Sequence, residues 1–162
     1  MKVGFVGLGV MGEPMARHLR TAGHDLAVWA RRPESAAALA AEGVPVCATP
    51  AELAARSEAV ITIVTASADV DALAFGEQGL AAGFAPGAVH VDMSTIAPAM
   101  ARSLAERYAA RGIGFVDAPV SGGGQGAREA TLAIMAGADE AVLARVRPLL
   151  AVLGKRIVHI GP

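Results

Sequence analysis

The sequence predicts an α/β fold of the doubly wound kind, a mostly parallel sheet of about eight strands with helices on both faces. Three observations carry that expectation. Short apolar runs alternate with helical patterns along the whole chain. The run Ala59–Val64 (AVITIV) is continuous and rich in β-branched residues, as a strand covered on both faces must be, and belongs at the sheet centre. The first run, Lys2–Val6, passes straight into Gly7-Leu8-Gly9-Val10-Met11-Gly12 and then into a helix with Met15, Ala16 and Leu19 on one face.

The elements follow in order. Gly23 caps the first helix and Asp25–Trp29 (DLAVW) is the second strand. Pro33–Ala41 fits a helix with proline in its first turn, Gly43 ends it, and Val44–Cys47 reads as a short third strand. Thr49-Pro50 opens a helix through Arg56, and Asp69–Phe75 is helical, leaving Gly76–Gly87 as a glycine-rich surface connection. Ala88–Val91 is the fifth strand, a long alanine-rich helix runs to Ala110, and Ile113–Val116 is the sixth strand. Thr131–Met135 returns as a strand, Asp139 caps a helix to about Leu153, and Arg156–Ile160 is the last strand. No linker, repeat or low-complexity segment divides the chain, so one domain spanning residues 1–162 is expected.

The glycine turn has a physical reading. In strand, GxGxxG, helix order the first glycine permits a tight turn, the second lets backbone approach a pyrophosphate, and the third lets helix and strand pack closely. Unpaired amides and the positive end of the helix dipole then favour the anion. At the end of the second strand, where a carboxylate would bond the ribose hydroxyls of NAD, stand Ala30, Arg31 and Arg32 instead. Guanidinium groups suit forked bonds to a 2'-phosphate, so NADP is the expected cofactor, with NAD possible. The plainer alternative is that both arginines are solvated charges at a helix start. Val64, Thr65 and Ala66, at the end of the central strand, should face the dinucleotide.

Two further stretches stay open on composition alone. Asp92, Ser94 and Thr95 either cap the following helix or carry chemistry. Ser121-Gly122-Gly123-Gly124-Gln125-Gly126 is either a flexible loop or a ring of exposed amides suited to a carboxylate or phosphate. A formal net charge of -1 gives no electrostatic case for nucleic acid or an anionic membrane. The single cysteine, Cys47, reads as a small buried hydrophobe and cannot form an internal disulfide. No apolar run approaches a membrane span of about 20 residues and no signal peptide opens the chain, so the expected compartment is the cytosol. His18, His24, His90 and His159 have no metal-ligand spacing and read as structural.

Four stretches together resemble the β-hydroxyacid dehydrogenase family, with its 3-hydroxyisobutyrate dehydrogenases and its tartronate, glyoxylate and succinic semialdehyde reductases. They are GLGVMGEPMARHL at 7–19, FGEQGL at 75–80, DMSTIAP at 92–98 and DAPVSGGGQGAREATLAIMAG at 117–137. The resemblance implies a Rossmann-type fold in which Gly7, Gly9 and Gly12 hold the pyrophosphate and Val64 and Thr95 lie along the cofactor. It implies that Ser121, Gly122 and Gly123 grip the carboxylate of a small substrate. Ala130 and Ala138 replace glycines common in the family, and Thr65-Ala66 stand where Leu-Pro is frequent. Imine reductases share the fold and the NADP preference but usually lack the serine-glycine pattern after Pro119.

In that family a lysine acts as general acid and base on the reacting oxygen. Lys2 and Lys155 are the only lysines, the first at the start of a strand and the second expected in the turn before the last one, and neither suits the role. The family's lysine lies on a helix after the dinucleotide domain, so it is expected beyond Pro162, with a helical domain that completes the active site and a homo-oligomer. A chain without it is expected to bind nucleotide without turnover and to expose an apolar patch toward the helical domain. A free-standing NADP-binding module is the competing expectation.

Overall fold

A computed structural model describes residues 1–162. Eight strands form one sheet: β1 (Lys2–Val6), β2 (Asp25–Trp29), β3 (Ala59–Thr62), β4 (Val89–Asp92), β5 (Gly114–Asp117), β6 (Val120–Ser121), β7 (Leu132–Gly137) and β8 (Gly154–Gly161). Their order is β2-β1-β3-β4-β5-β7-β6, with β8 paired to β7. The first five strands are parallel, β7 runs antiparallel to β5 and β6, and β8 runs parallel to β7. The predicted Rossmann-type class therefore holds.

Period-two alternation sorts the strand residues between two cores. Val3 and Phe5 of β1, Ile61 of β3 and Val91 of β4 face one core. There they meet α1 (Gly12–Thr21) through Met15 and Leu19, α2 (Ala37–Ala41) through Leu39, and α8 (Glu140–Leu153) through Val146 and Leu150. Val6, Val60 and Phe115 face the other core. It is closed by α3 (Pro50–Ala55), α4 (Ser67–Phe75), α5 (Leu80–Gly83) and α6 (Pro98–Ala109), which bring Leu53, Val70, Leu80, Leu104 and Tyr108. Caps were legible locally. Thr49 Oγ1 accepts from the Glu52 amide at the start of α3, and Asp139 Oδ1 accepts from the Ala141 and Val142 amides at the start of α8.

Four expectations change. Val44–Cys47 is not a strand; it makes a single parallel bridge, Val28 to Val46, and Cys47 is buried as a small apolar side chain. The connection after Gly76 contains α5, because Leu80, Ala81 and Phe84 supply buried side chains that pull it inward. The glycine stretch after Ser121 is not an open loop: Gly123–Glu129 forms α7, with Gly126 and Ala127 buried. Lys155 lies within β8 rather than in a turn before it. No helix is long and apolar enough to cross a membrane.

Candidate functional site

β1 is flanked by β2 on one side and β3 on the other, so the connections leaving β1 and β3 part in opposite directions and open a crevice at the strands' carboxyl ends. A cavity of about 620 Å³ fills it, lined by Gly7, Leu8 and Gly9, by Ala30, Arg31 and Arg32, and by Val64 and Thr65. Eight of the residues predicted from three distant stretches thus share one cavity.

The three glycines do different work. Gly7 turns with φ +100°, and a Cβ there would lie 1.9 Å from the Ile63 carbonyl oxygen. At Gly12 a Cβ would lie 1.5 Å from the Gly7 carbonyl oxygen, so the start of α1 rests directly on the turn. Nothing lies within 4 Å of a Cβ built at Gly9, which stands in open space. The amides of Val10, Met11 and Gly12 make no hydrogen bond within the chain, and Met11 gives α1 no side-chain cap. Free donors, an open backbone and the positive end of a ten-residue helix form a cradle that fits a pyrophosphate.

Arg31 and Arg32 stand on the opposite lip. The Arg31 guanidinium is 3.9 Å from Asp69 Oδ1 of α4, with 75% of the Arg31 side chain exposed. An ion pair this exposed contributes about 0–1 kcal/mol and leaves the guanidinium free to meet another anion. Asp69 and Glu77 line the same cavity, as do Trp29 and Leu73. These four were missed by sequence reading. The spacing of Asp69 and Leu73 on α4 was the available signal, since residues four apart share a helix face.

Val10, Met11, Gly12 and Thr95 do not line the cavity. Val10 is 78% exposed and points toward the second predicted cluster, for a Cβ at Gly124 would come 3.1 Å from Val10 Cγ1. Ser121 is exposed at the end of β6, and Gly122 (φ +136°) and Gly123 (φ +60°) make the turn into α7 in backbone that side chains resist. His18 of α1 fixes this arrangement by donating from Nε2 to the carbonyls of Ala127 and Arg128, at 3.1 and 2.8 Å. The glycine turn and the Ser121–Gly123 turn are therefore neighbours, although over a hundred residues of chain separate them.

Beside the cavity, below its Val64 wall, lies a buried polar row. Thr62, His90, Asp92 and Ser94 are all almost wholly inaccessible. Asp92 Oδ1 accepts from Thr62 Oγ1 and Ser94 Oγ, each at 2.7 Å, and His90 Nε2 donates to Thr62 Oγ1 at 2.9 Å. Ser94 Oγ in turn accepts from the Val64 amide at 2.9 Å. The capping alternative for Asp92, Ser94 and Thr95 is thereby replaced: α6 starts at Pro98 with Ala97 before it and no side-chain cap. Burial pushes the Asp92 carboxyl above its ordinary range, against the opposing pull of its hydrogen bonds. Asp117, in register with Asp92 on β5, is pushed up to about 6 by burial and by the Asp92 charge. Burial holds the His90 imidazole down at about 3.

The two lysines, not expected to serve as the general acid and base, stand apart from the cavity. Lys2 lies at the amino end of β1, away from the cavity, and Lys155 is exposed on β8.

Comparison with known proteins places these features in context. The sequence profile of the NAD binding domain of 6-phosphogluconate dehydrogenase matches residues 2–161. The 2-hydroxy-3-oxopropionate reductase of Escherichia coli is 42% identical over 161 residues, covering 99% of this chain and 55% of that protein. A 3-hydroxyisobutyrate dehydrogenase of Mycobacterium tuberculosis, solved with L-serine, superposes with a TM-score of 0.90 at 37% identity, covering 99% of this chain and 54% of that one. Psf3, solved in complex with NADP+ and 2-OPP, superposes with a TM-score of 0.93 at 29% identity, covering 98% and 56%. The chain spans about half the length of the curated relatives it matches.

Proposed function

Because the chain belongs to the family of 6-phosphogluconate dehydrogenase NAD binding domains, we propose that it is the NADP-binding part of an oxidoreductase that moves hydride between NADP(H) and a small 3-hydroxyacid or semialdehyde. One observation carries the cofactor reading: a cavity with an open glycine backbone at one end and two guanidinium groups, with no carboxylate at the end of β2, at the other. The amides of Val10, Met11 and Gly12 hold the pyrophosphate, and Arg31 and Arg32 hold the 2'-phosphate. Val64 and Thr65 line the path between, and Thr95, outside the cavity wall, would lie along the cofactor. The bound nicotinamide supplies the carbon that gives or takes hydride. Ser121, Gly122 and Gly123, beside the glycine turn, would orient the substrate by its carboxylate. Hydride transfer also needs a proton donor and acceptor at the substrate oxygen, and neither lysine is placed for it. The chain by itself binds without turnover.

The test uses Trp29, the single tryptophan, which lines the cavity. Energy transfer from Trp29 to the reduced nicotinamide reports binding of NADPH and NADH. NADPH is expected to bind at least about tenfold tighter, and Arg31→Ala with Arg32→Ala should erase most of that preference. Equal affinity for both nucleotides, or equal loss for both, returns the arginines to solvated charges. Turnover of 3-hydroxyacids by the 162-residue chain at ordinary enzyme rates would refute the account of the missing proton donor.

A further inference from the structure

Asp92 has a cost that the fold does not require. It is 0% exposed, Oδ2 has no partner, and an apolar side chain in the same row would avoid burying a carboxyl. What the carboxyl does is visible in the hydrogen bonds at Oδ1. That oxygen takes the only hydroxyl proton of Ser94, at 2.7 Å, and meets the Ser94 amide at 3.4 Å. With its proton so used, Ser94 Oγ presents a lone pair to the Val64 N–H. Thr62, which also donates to Oδ1, fixes the carboxyl from the neighbouring strand.

The amide that this relay holds is well placed to matter. The β1–β3 ladder ends where the Ile63 amide donates to the Val6 carbonyl, so Val64 is the first residue whose N–H has no strand to bond. The Ile63 carbonyl next to it abuts Gly7, within 1.9 Å of where a Cβ would stand. Ile63, Val64 and Thr65 all line the cavity. Any drift of the Val64 peptide moves one wall of the cavity and the support beneath the glycine turn together.

Building on the cofactor reading above, we propose that Asp92 is a positioning residue which, through the Ser94 hydroxyl, fixes the Ile63–Val64 peptide and with it the shape of the dinucleotide cavity. Asp92→Asn keeps an acceptor oxygen for Ser94 and Thr62. Asp92→Ala removes it, and Ser94→Ala removes the acceptor for Val64 directly without emptying the row.

Two readouts are needed. Hydrogen exchange at the Val64 amide of the free chain reads the relay alone, and NADPH titration reads its effect on the cavity. Exchange is expected to quicken by at least about tenfold in Asp92→Ala and Ser94→Ala, with NADPH affinity falling by a similar factor. Asp92→Asn should return both to within about threefold of the unaltered chain. Leu39→Ala, in the core on the other face, should lower thermal stability and leave affinity unchanged. The proposal is overturned if Asp92→Ala and Ser94→Ala lose stability while Val64 exchange and NADPH affinity stay as they were, or if Asp92→Asn is as harmful as Asp92→Ala. Should Asp92→Ala fail to fold, Ser94→Ala decides. Failure of the unaltered chain to bind NADPH would refute the cofactor reading, whereas unchanged Val64 exchange refutes the relay.

Discussion

Replacing Gly9 and Gly12 separately by alanine should divide binding from folding. At Gly12 the new Cβ would sit 1.5 Å from the Gly7 carbonyl oxygen and 2.7 Å from the Gly7 carbonyl carbon, both backbone atoms. Relief requires α1 and the turn to separate by roughly 1.5 Å, an overpacking that costs about 2–3 kcal/mol. For a chain of this length each kcal/mol moves the melting temperature by about 2–4 °C, so Gly12→Ala should melt about 5–10 °C lower. Gly9→Ala meets nothing within 4 Å, and its stability should change by no more than about 0.5 kcal/mol. On the proposed cofactor reading its methyl group would stand where the pyrophosphate approaches the backbone, so NADPH affinity should fall by at least about tenfold, or ~1.4 kcal/mol. Thermal unfolding followed by circular dichroism, with NADPH titration on the same samples, measures both. The reasoning is refuted if Gly9→Ala melts as low as Gly12→Ala, or if it binds NADPH as well as the unaltered chain.

Three further predictions concern the buried groups and the helix contacts. His90 is held near 3 in the folded chain against 6.5 when exposed, so stability should fall as pH drops from about 6.5 toward 3, by up to roughly 4–5 kcal/mol. Urea unfolding across that range should show the slope, and His90→Gln should flatten it. Asp117 has the opposite sign. Raised from 3.8 to about 6, it contributes stability that is full below about 4 and is lost as pH rises through 6, roughly 1–3 kcal/mol in all, so Asp117→Asn should gain on the unaltered chain between pH 4 and pH 7. A pH-independent difference would show that the Asp117 carboxyl titrates normally. His18→Ala removes the side-chain bond from the Arg128 carbonyl and leaves the Ala127 carbonyl with only the Ala130 amide. It should cost about 1 kcal/mol and speed hydrogen exchange across 122–130, while the β1–β4 ladder stays protected.

Most of the sheet was legible because its signals are local. A short continuous β-branched run fits a doubly covered strand, and Thr49 and Asp139 announce helix starts through oxygens that bond amides two or three residues away. The misreadings came where local pattern and tertiary contact disagree. Val44–Cys47 has strand composition, but only Val28 is there to pair with it. Gly123–Glu129 has loop composition, yet the His18 bonds and the buried Gly126 and Ala127 hold it as a helix. Of the cavity wall, the four-residue spacing of Asp69 and Leu73 signalled only a shared helix face, since the path of α4 over the crevice is set by how Val70 and Ala74 pack into the core beneath it.

The sequence by itself determined the glycine turn, the arginines that follow β2 and the run of strands and helices, because each rests on backbone freedom, charge or periodicity within a few residues. Only the tertiary structure decided that Gly9 faces open space while Gly7 and Gly12 face backbone. It alone resolved Asp92 and Ser94, open in the sequence between helix caps and a chemical role, into a buried support for Val64. The reason is physical. In-register strands set Thr62 beside Asp92 at a spacing no single stretch of chain contains, and a hydrogen bond depends on distance in space rather than along the sequence.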